Sequence, residues 1–284
     1  MTSSSFGLFL PLFDNEKHVF SISLMKQILL TFDVEEFDIP NEYGAQISMA
    51  EQLKIGTEGL HIVQQMLLTL DIPTTLFTTG LFAENNVALI QQLSKKNEIA
   101  SHGYAHGDAD ESLILQSKQI LESITQDKVY GYRSPRMAPI NHLVLSENGF
   151  EFDATSNPTY LPGRYNHLSQ PRTIHQKNNL TIIPASVTPR LRIPLFWLLF
   201  KNLPMSLIKR WTSNVLQHDG YLVLYFHPWE FCDLRSYQLP FYVKRIDHTA
   251  LQERFMAYCT WLKTKGEFST IHHFLQSYAQ RNRR

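Results

Sequence analysis

The stretch Met25-Lys-Gln-Ile-Leu-Leu-Thr-Phe-Asp33 decides the fold, because a continuous apolar run ends directly on a carboxylate. Ile28–Phe32 has the length and the unbroken apolar character of a buried strand. Such strands are typical of parallel sheets, and in β/α barrels the functional side chains lie at the carboxyl ends of the strands. The sequence therefore predicts that the folded body starts near Met25 and that Asp33 lies at its functional edge.

Short strand patterns alternate with helical patterns downstream of Asp33. Further strands are predicted at Thr74–Thr78, Glu98–Ala100, Val129–Tyr132, Glu151–Asp153, Leu180–Ile183, Tyr221–Phe226 and Phe268–Ile271. Helices are predicted near Thr57–Leu70, Asn86–Lys96, Glu111–Thr125, Asn141–Asn148 and Ala250–Thr264, and within Pro194–Gln217. About seven such units in roughly 260 residues predict an α/β fold, a closed or nearly closed (β/α) barrel, in one domain over residues 25–284.

Residues 1–24 lack both helical periodicity and strand alternation, so we expect an N-terminal extension there. It either precedes a true start at Met25 or forms a strap over the body. Its apolar segment Phe6–Phe13 contains Pro11, follows no Lys or Arg and precedes no small-residue cleavage pattern. A secretory signal is therefore not expected, and a cytoplasmic location is predicted.

The composition excludes several classes of protein. Among 284 residues, 26 Lys and Arg balance 26 Asp and Glu, so no broad positive field favours nucleic acid. Two cysteines, Cys232 and Cys259, are too few for a disulfide framework, a four-thiolate zinc site or an iron–sulfur cluster, and we expect reduced core thiols. No apolar run reaches the roughly 18 residues of a membrane span.

Ionisable side chains follow five of the predicted strands, at the point where each strand ends. They are Asp33, His102, Arg133, Asp153 and His227. Because the active site of a β/α barrel is built at this rim, the five residues are candidates for catalysis or binding.

Two clusters near these strand ends have the spacing of metal ligands. His102 and His106 are four residues apart, and two neutral imidazoles with one carboxylate leave open positions on a zinc-like ion. Asp33, Glu35 and Glu36 supply three acids in four positions, which is costly after an apolar strand unless they face a metal or basic groups. Each cluster alone is also compatible with ordinary core histidines or a solvated loop.

Four motifs occur in a characteristic order: TFDVEEF at 31–37, SHGYAH at 101–106, GYRSP at 131–135 and YFHPWEF at 225–231. Together they resemble the metal-dependent polysaccharide deacetylases with a NodB-type domain, also called carbohydrate esterase family 4. The resemblance spans roughly Met25 to Phe231. It implies a distorted (β/α) barrel with one divalent metal ion, zinc being the expected one, and hydrolysis of an N-acetyl group on an amino sugar.

The resemblance implies Asp33 as the general base and His102 and His106 as metal ligands. The common family pattern has a second Asp directly after the first and uses it as a ligand, but position 34 here is Val. The chain looks like the branch with the ligating acid two residues on, which points to Glu35, with Glu36 as the alternative.

The same resemblance implies roles for the two later motifs. Arg133 would pair with the base, Pro135 would shape its loop, and the backbone amide of Arg136 would stabilise the oxyanion. His227 would be the general acid. Many members orient this His with an Asp from a separate motif that is not found here, and Asp153 is a candidate for a direct catalytic role or for a contact to Arg133 or the substrate.

The sequence leaves the substrate open. Tyr104 and Trp229 offer flat faces for sugar rings. The apolar segment Pro194–Trp211 is either a buried helix pair or a membrane-surface segment with peripheral contact at the inner membrane face. Four functions remain: an N-deacetylase of an amino sugar in a glycan or glycan precursor, a deformylase or deacetylase of a lipid-linked sugar at that face, a metal-free carbohydrate-binding pseudoenzyme, and a relative of the family that acts on small cyclic amides.

Overall fold

The computed structural model describes residues 25–107, 110–163 and 165–282. The N-terminal extension predicted at 1–24 lies outside the described residues. The strands are β1 (Gln27–Val34), β2 (Thr75–Thr78), β3 (Glu98–Ser101), β4 (Gly131–Tyr132), β5 (Phe152–Asp153), β6 (Tyr160–Leu161), β7 (Tyr165–Asn166), β8 (His175–Lys177), β9 (Leu180–Ile182), β10 (Tyr221–Phe226) and β11 (Glu267–Phe268). The α-helices are α1 (Ile39–Glu42), α2 (Met49–Leu70), α3 (Gly80–Asn85), α4 (Val87–Ser94), α5 (Ile114–Thr125), α6 (His142–Glu147), α7 (Trp197–Asn202), α8 (Met205–Asp219), α9 (His248–Lys263) and α10 (Ile271–Asn282), and short 3₁₀ turns cover Glu111–Leu113, Pro135–Met137 and Pro228–Phe231.

One sheet carries the fold, with strand order β10-β1-β2-β3-β4-β5-β9-β8 and β11 paired to the start of β1. Every pairing is parallel except the antiparallel pair of β8 and β9. The seven parallel strands from β10 to β9 confirm the predicted distorted (β/α) barrel. Within the described ranges no ladder joins the two ends of the sheet, so it is a curved, open half-barrel rather than a closed one.

The alternation of side chains along β1 determines which residues reach the interior of this curve. Ile28, Leu30, Phe32 and Val34 belong to the main core, which lies between the sheet and the helices around it. Leu29 belongs to a second, inner cluster with residues from the other strands and from α10. Because strand side chains alternate between faces, Thr31 and Asp33 follow Leu29 along the inner face, toward the carboxyl edge.

Helix α2 approaches two loops at this edge through a pair of glycines. A Cβ atom on Gly56 would lie 2.6 Å from the carbonyl oxygen of Glu35, and one on Gly59 would lie 2.4 Å from the backbone carbonyl of Pro228. These distances are far below ordinary contact, so only glycine lets the helix lie against the backbones that follow β1 and β10.

The remaining sequence predictions about the body of the fold concern the two cysteines, membrane spans and the apolar segment Pro194–Trp211. Cys232 and Cys259 are free thiols and buried, as predicted. No helix in the described part of the chain has the length and apolarity needed to cross a membrane. The apolar segment Pro194–Trp211 contributes Trp197, Phe200 and their neighbours to the core, and its large apolar side chains are buried or half-buried. This burial favours the helix-pair interpretation over a membrane-surface segment.

Candidate metal and catalytic site

The loop after β1 turns Glu35 toward the two histidines that follow β3. One oxygen of Glu35, Oε2, lies 3.1 Å from Nε2 of His102 and 3.1 Å from Nε2 of His106. One ligand atom from each of the three buried side chains lies within 4.8 Å of the others. This group has the donor set and size of a site for one divalent cation.

Glu36, the alternative ligand, has a different position. Its Oε1 accepts a hydrogen bond from the Thr79 hydroxyl at 3.0 Å, and its Oε2 accepts one from the backbone N–H of His106 at 3.1 Å. Burial raises the pKa of Glu36 against these hydrogen bonds. The geometry therefore favours Glu35 over Glu36 as the third ligand.

The second nitrogen of each histidine has a partner that orients the ring. Nδ1 of His102 lies 2.8 Å from the carbonyl oxygen of Arg133, and Nδ1 of His106 lies 2.7 Å from Oδ1 of Asp38. With the proton on Nδ1, both Nε2 lone pairs point at the same place, as in metal sites whose ligands are fixed by an outer shell. Sequence reasoning missed Asp38, although it continues the acidic run of Glu35 and Glu36.

The charges in this cluster are strongly coupled. Burial alone would raise the pKa of Glu35, but the charges of His106 and His227 and the hydrogen bond from His102 outweigh it and lower that pKa. Burial would lower the pKa of His106, but the Glu35 charge and the hydrogen bond to Asp38 raise it to about 9. A protonated His106 thus compensates the charge of the buried carboxylate, and a divalent cation would take over that task.

Asp33 lies beside the cluster and is held by a buried arginine. Nη1 of Arg133 donates to Oδ1 of Asp33 at 2.5 Å and to the Thr31 hydroxyl at 2.9 Å. The guanidinium also lies over the ring of Phe77, 4.0 Å from its centroid. Neither partner of this ion pair is more than 5 % exposed, so the guanidinium fixes the position of the Asp33 side chain.

His227 lies on the other side of Asp33, after β10. Its Nε2 is 3.8 Å from Oδ2 of Asp33 and 4.0 Å from Oε1 of Glu35. Its Nδ1 lies 3.0 Å from Oε1 of Glu230, which also accepts the backbone N–H of His227 at 2.7 Å. Burial lowers the pKa of His227, but the negative charges of Glu35 and Glu230 raise it above its ordinary value.

Glu230 is a second partner that sequence reasoning missed. It comes three residues after His227 in YFHPWEF, and the 3₁₀ turn Pro228–Phe231 returns its carboxylate to the start of the turn. The reciprocal pairing of an N-terminal residue with the third residue of a turn is a known capping arrangement, so the spacing could have indicated it.

Trp229 and Arg136 also reach the candidate site. The indole Nε1 of Trp229 donates to Oε1 of Glu35 at 3.1 Å, and its ring stacks on His227 with centroids 4.8 Å apart. Arg136 has a left-handed backbone, with φ of 54°, and donates to the carbonyl oxygen of His106 and to Asp38 at 2.9 and 2.6 Å. Its side chain therefore links the loop that carries His106 to the loop that carries Asp38.

The other predicted residues are not brought to the cluster. The hydroxyl of Tyr104 donates to Glu84, 3.2 Å away, and Tyr104 does not line the candidate pocket. Pro135 is buried and begins the turn that carries Arg136. Asp153 bonds to Thr155 at 2.9 Å and to His142 at 3.1 Å, and it lines a separate cavity rather than meeting Arg133. The geometry thus supports neither a catalytic role for Asp153 nor a substrate contact for Tyr104.

A cavity of about 140 Å³ opens above these groups. Asp33, Glu35, His102, His106 and His227 line it together with Trp229 and Arg136. Its walls are mostly aromatic and aliphatic, and include Phe196, Trp197, Leu198, Tyr225 and Tyr242. Such a pocket, with a few convergent polar groups and perturbed pKa values, is typical of a small-molecule site.

No protein-family model and no curated protein sequence matches the chain. Solved structures do match. A protein described as a polysaccharide deacetylase from Pseudomonas aeruginosa superposes with a TM-score of 0.61 at 12 % identity, over 89 % of this chain and 91 % of that one. Puue allantoinase gives 0.59 at 15 % identity, over 87 % and 88 % of the two chains. A protein described as a polysaccharide deacetylase from Mycobacterium smegmatis gives 0.54 at 20 % identity, over 84 % and 85 %. At these identities the comparison establishes the fold, which is that of the NodB-like deacetylases, as the motifs predicted.

Proposed function

We propose that the chain is a metal-dependent hydrolase of the NodB-type deacetylase family, removing an N-acetyl or related acyl group from an amino sugar in a glycan or glycan precursor. The observation that carries this proposal is the convergence of Glu35, His102 and His106 beside both Asp33 and His227. The fold supports it, because the chain shares that fold with a protein described as a polysaccharide deacetylase.

Glu35, His102 and His106 would hold the cation. When bound, a zinc-like ion polarises the amide carbonyl and lowers the pKa of a coordinated water. Asp33 accepts the proton of the attacking water through Oδ2, since its Oδ1 is occupied by Arg133. Arg133 pairs with Asp33 and fixes its orientation.

His227 then donates a proton from Nε2 to the leaving nitrogen. Its raised pKa keeps a proton available near neutral pH, and the hydrogen bond from Nδ1 to Glu230 holds the ring. Oxyanion stabilisation falls to the backbone amide of Arg136, whose clamped side chain fixes the turn. Trp229 is buried and stacks on His227, so it supports the ring of the proposed acid.

The direct test is mass-spectrometric screening of the purified protein, with zinc or cobalt added, against acetylated and formylated amino sugars, free and lipid-linked. We expect loss of an acyl group from at least one amino sugar. Asp33→Asn is the matched control, because it keeps the size of the side chain and removes the base. Equal product from both proteins would contradict the mechanism, and a protein that binds no metal and turns over no substrate would favour the metal-free carbohydrate-binding pseudoenzyme.

A further inference from the structure

Helix α7 buries a lysine directly behind the proposed acid. The side chain of Lys201 is 2 % exposed, and its Nζ lies 3.4 Å from Oε2 of Glu230. Nζ also donates to the carbonyl oxygen of Val243 at 3.2 Å and lies 5.2 Å from the centroid of the Trp197 ring. Burial lowers the pKa of Lys201, while the charge of Glu230 opposes that effect. A buried cation of this kind is costly unless it is paired.

The two oxygens of Glu230 have different partners. Oε1 accepts both hydrogen bonds from His227, one from the backbone and one from Nδ1. Oε2 has no hydrogen-bond partner among the residues that the structure describes, and faces the Lys201 ammonium. The lysine therefore supplies the counter-charge for a carboxylate whose side chain is 1 % exposed.

We propose that Lys201 is a positioning residue for His227 and acts through Glu230: its ammonium holds Oε2 of Glu230, so that Oε1 stays on Nδ1 of the imidazole and Nε2 faces Asp33 and Glu35. The effect on catalysis rests on the proposed function, whereas the effect on the imidazole ring does not. In catalytic triads a hydrogen-bonded carboxylate fixes the tautomer of the catalytic histidine. Here Glu230 has the position of that carboxylate, and Lys201 adds a positive charge on its far side.

A structural explanation competes with this one, because Lys201 could simply support the chain at Val243. The protein contains a matched control in Lys118, which is also buried. Its ammonium donates to the carbonyl oxygen of Val129 and lies 2.9 Å from Glu122, on a helix that does not line the candidate pocket. Lys118→Met removes the same kind of cation without touching the proposed machinery.

The test uses the full chain purified with zinc, in Lys201→Gln, Lys201→Met, Lys201→Arg and Lys118→Met forms. Two-dimensional ¹H–¹⁵N spectra of the imidazole nitrogens report the tautomer of His227, with the signal assigned by its loss in His227→Gln. At a pH where the imidazole is neutral, we expect a protonated Nδ1 in the wild type and a mixture of tautomers in Lys201→Gln, which keeps a donor for Val243 but not the charge. Lys201→Arg should restore the wild-type signal, and Lys118→Met should not change it.

Kinetics give a second readout on whichever amide the protein hydrolyses. Lys201→Gln should lower kcat by about 10- to 100-fold with little change in KM, the usual size for losing an outer-shell partner. An unchanged tautomer in both Lys201→Gln and Lys201→Met would overturn the proposal, whatever the activity. If the wild type hydrolyses no amide while the tautomer shifts as expected, the proposed function fails and the positioning role stands.

Discussion

Gly59 lies where helix α2 touches the backbone of Pro228, and its replacement by alanine sets two effects of opposite sign against each other. On helix propensity alone, Gly→Ala in a helix interior stabilises by about 1 kcal/mol. The added Cβ, however, would lie 2.4 Å from the carbonyl carbon and oxygen of Pro228, where ordinary contact begins at 3.4 Å. The helix or the loop must therefore retreat by about 1 Å, and both colliding groups are backbone that cannot rotate away.

Overpacking of this kind costs about 1–3 kcal/mol, so the clash outweighs the propensity gain. We expect Gly59→Ala to lower the free energy of unfolding by up to about 2 kcal/mol in urea titrations followed by circular dichroism, which is the clash cost less the propensity gain. The same retreat moves His227 relative to Asp33, and a 1 Å misplacement can reduce turnover by about 100-fold. His61→Ala is the control, since His61 is exposed on the same helix and has no such neighbour. If Gly59→Ala is more stable than the wild type and equally active, the reasoning from this close approach is wrong.

Four further outcomes follow from the site and the fold. Elemental analysis should find one divalent cation per chain in the wild type and a clear loss in His102→Ala; equal metal in both would refute the ligand assignment. Asp33→Asn and His227→Gln should keep fold and metal but reduce turnover by about 10²–10⁴-fold, and near-normal turnover in either variant would remove that residue from the mechanism. Burial raises the pKa of Glu98 to about 7 from 4.5, so the protonated side chain stabilises the fold at low pH, and this contribution is lost as the pH rises toward 7. Chemical denaturation should therefore show that Glu98→Gln has a free energy of unfolding up to about 3 kcal/mol above that of the wild type near pH 8, and the same free energy near pH 4. A chain starting at Met25 should fold and turn over like the full chain, because β1 is complete without residues 1–24; a fall in melting temperature would instead indicate a strap.

The sequence predicted those site residues that follow directly from a strand end. Asp33, His102, Arg133 and His227 each come just after an apolar run, and the parallel sheet brings such positions to one edge whatever the loops do. Asp153 also follows a strand, but its bonds to Thr155 and His142 turn it toward a different cavity, which no periodicity encodes.

The residues that sequence reasoning missed act through other side chains. Asp38 and Glu230 depend on how a loop and a 3₁₀ turn fold back, and Lys201 depends on the packing of α7 against the loop at Val243. An apolar segment with a few cations predicts a buried helix and a membrane-surface helix equally well, because the sequence does not reveal what covers its apolar face. The open edge of the sheet likewise depends on tertiary pairing rather than on any one strand pattern.

The hydrogen bond from the Trp229 indole to Glu35 has a consequence for the choice of ion. It engages Oε1 of Glu35, while the other oxygen, Oε2, faces the two histidines. Calcium takes six to eight oxygen ligands, often with both oxygens of one carboxylate, and magnesium prefers an octahedron of oxygens. A centre with two imidazole nitrogens and one carboxylate oxygen suits neither, while it matches the smaller coordination number of borderline-soft metals. If the proposed metal site is correct, this donor set would favour a borderline-soft ion such as zinc over calcium or magnesium, and the Trp229 indole would help by holding Glu35 in place.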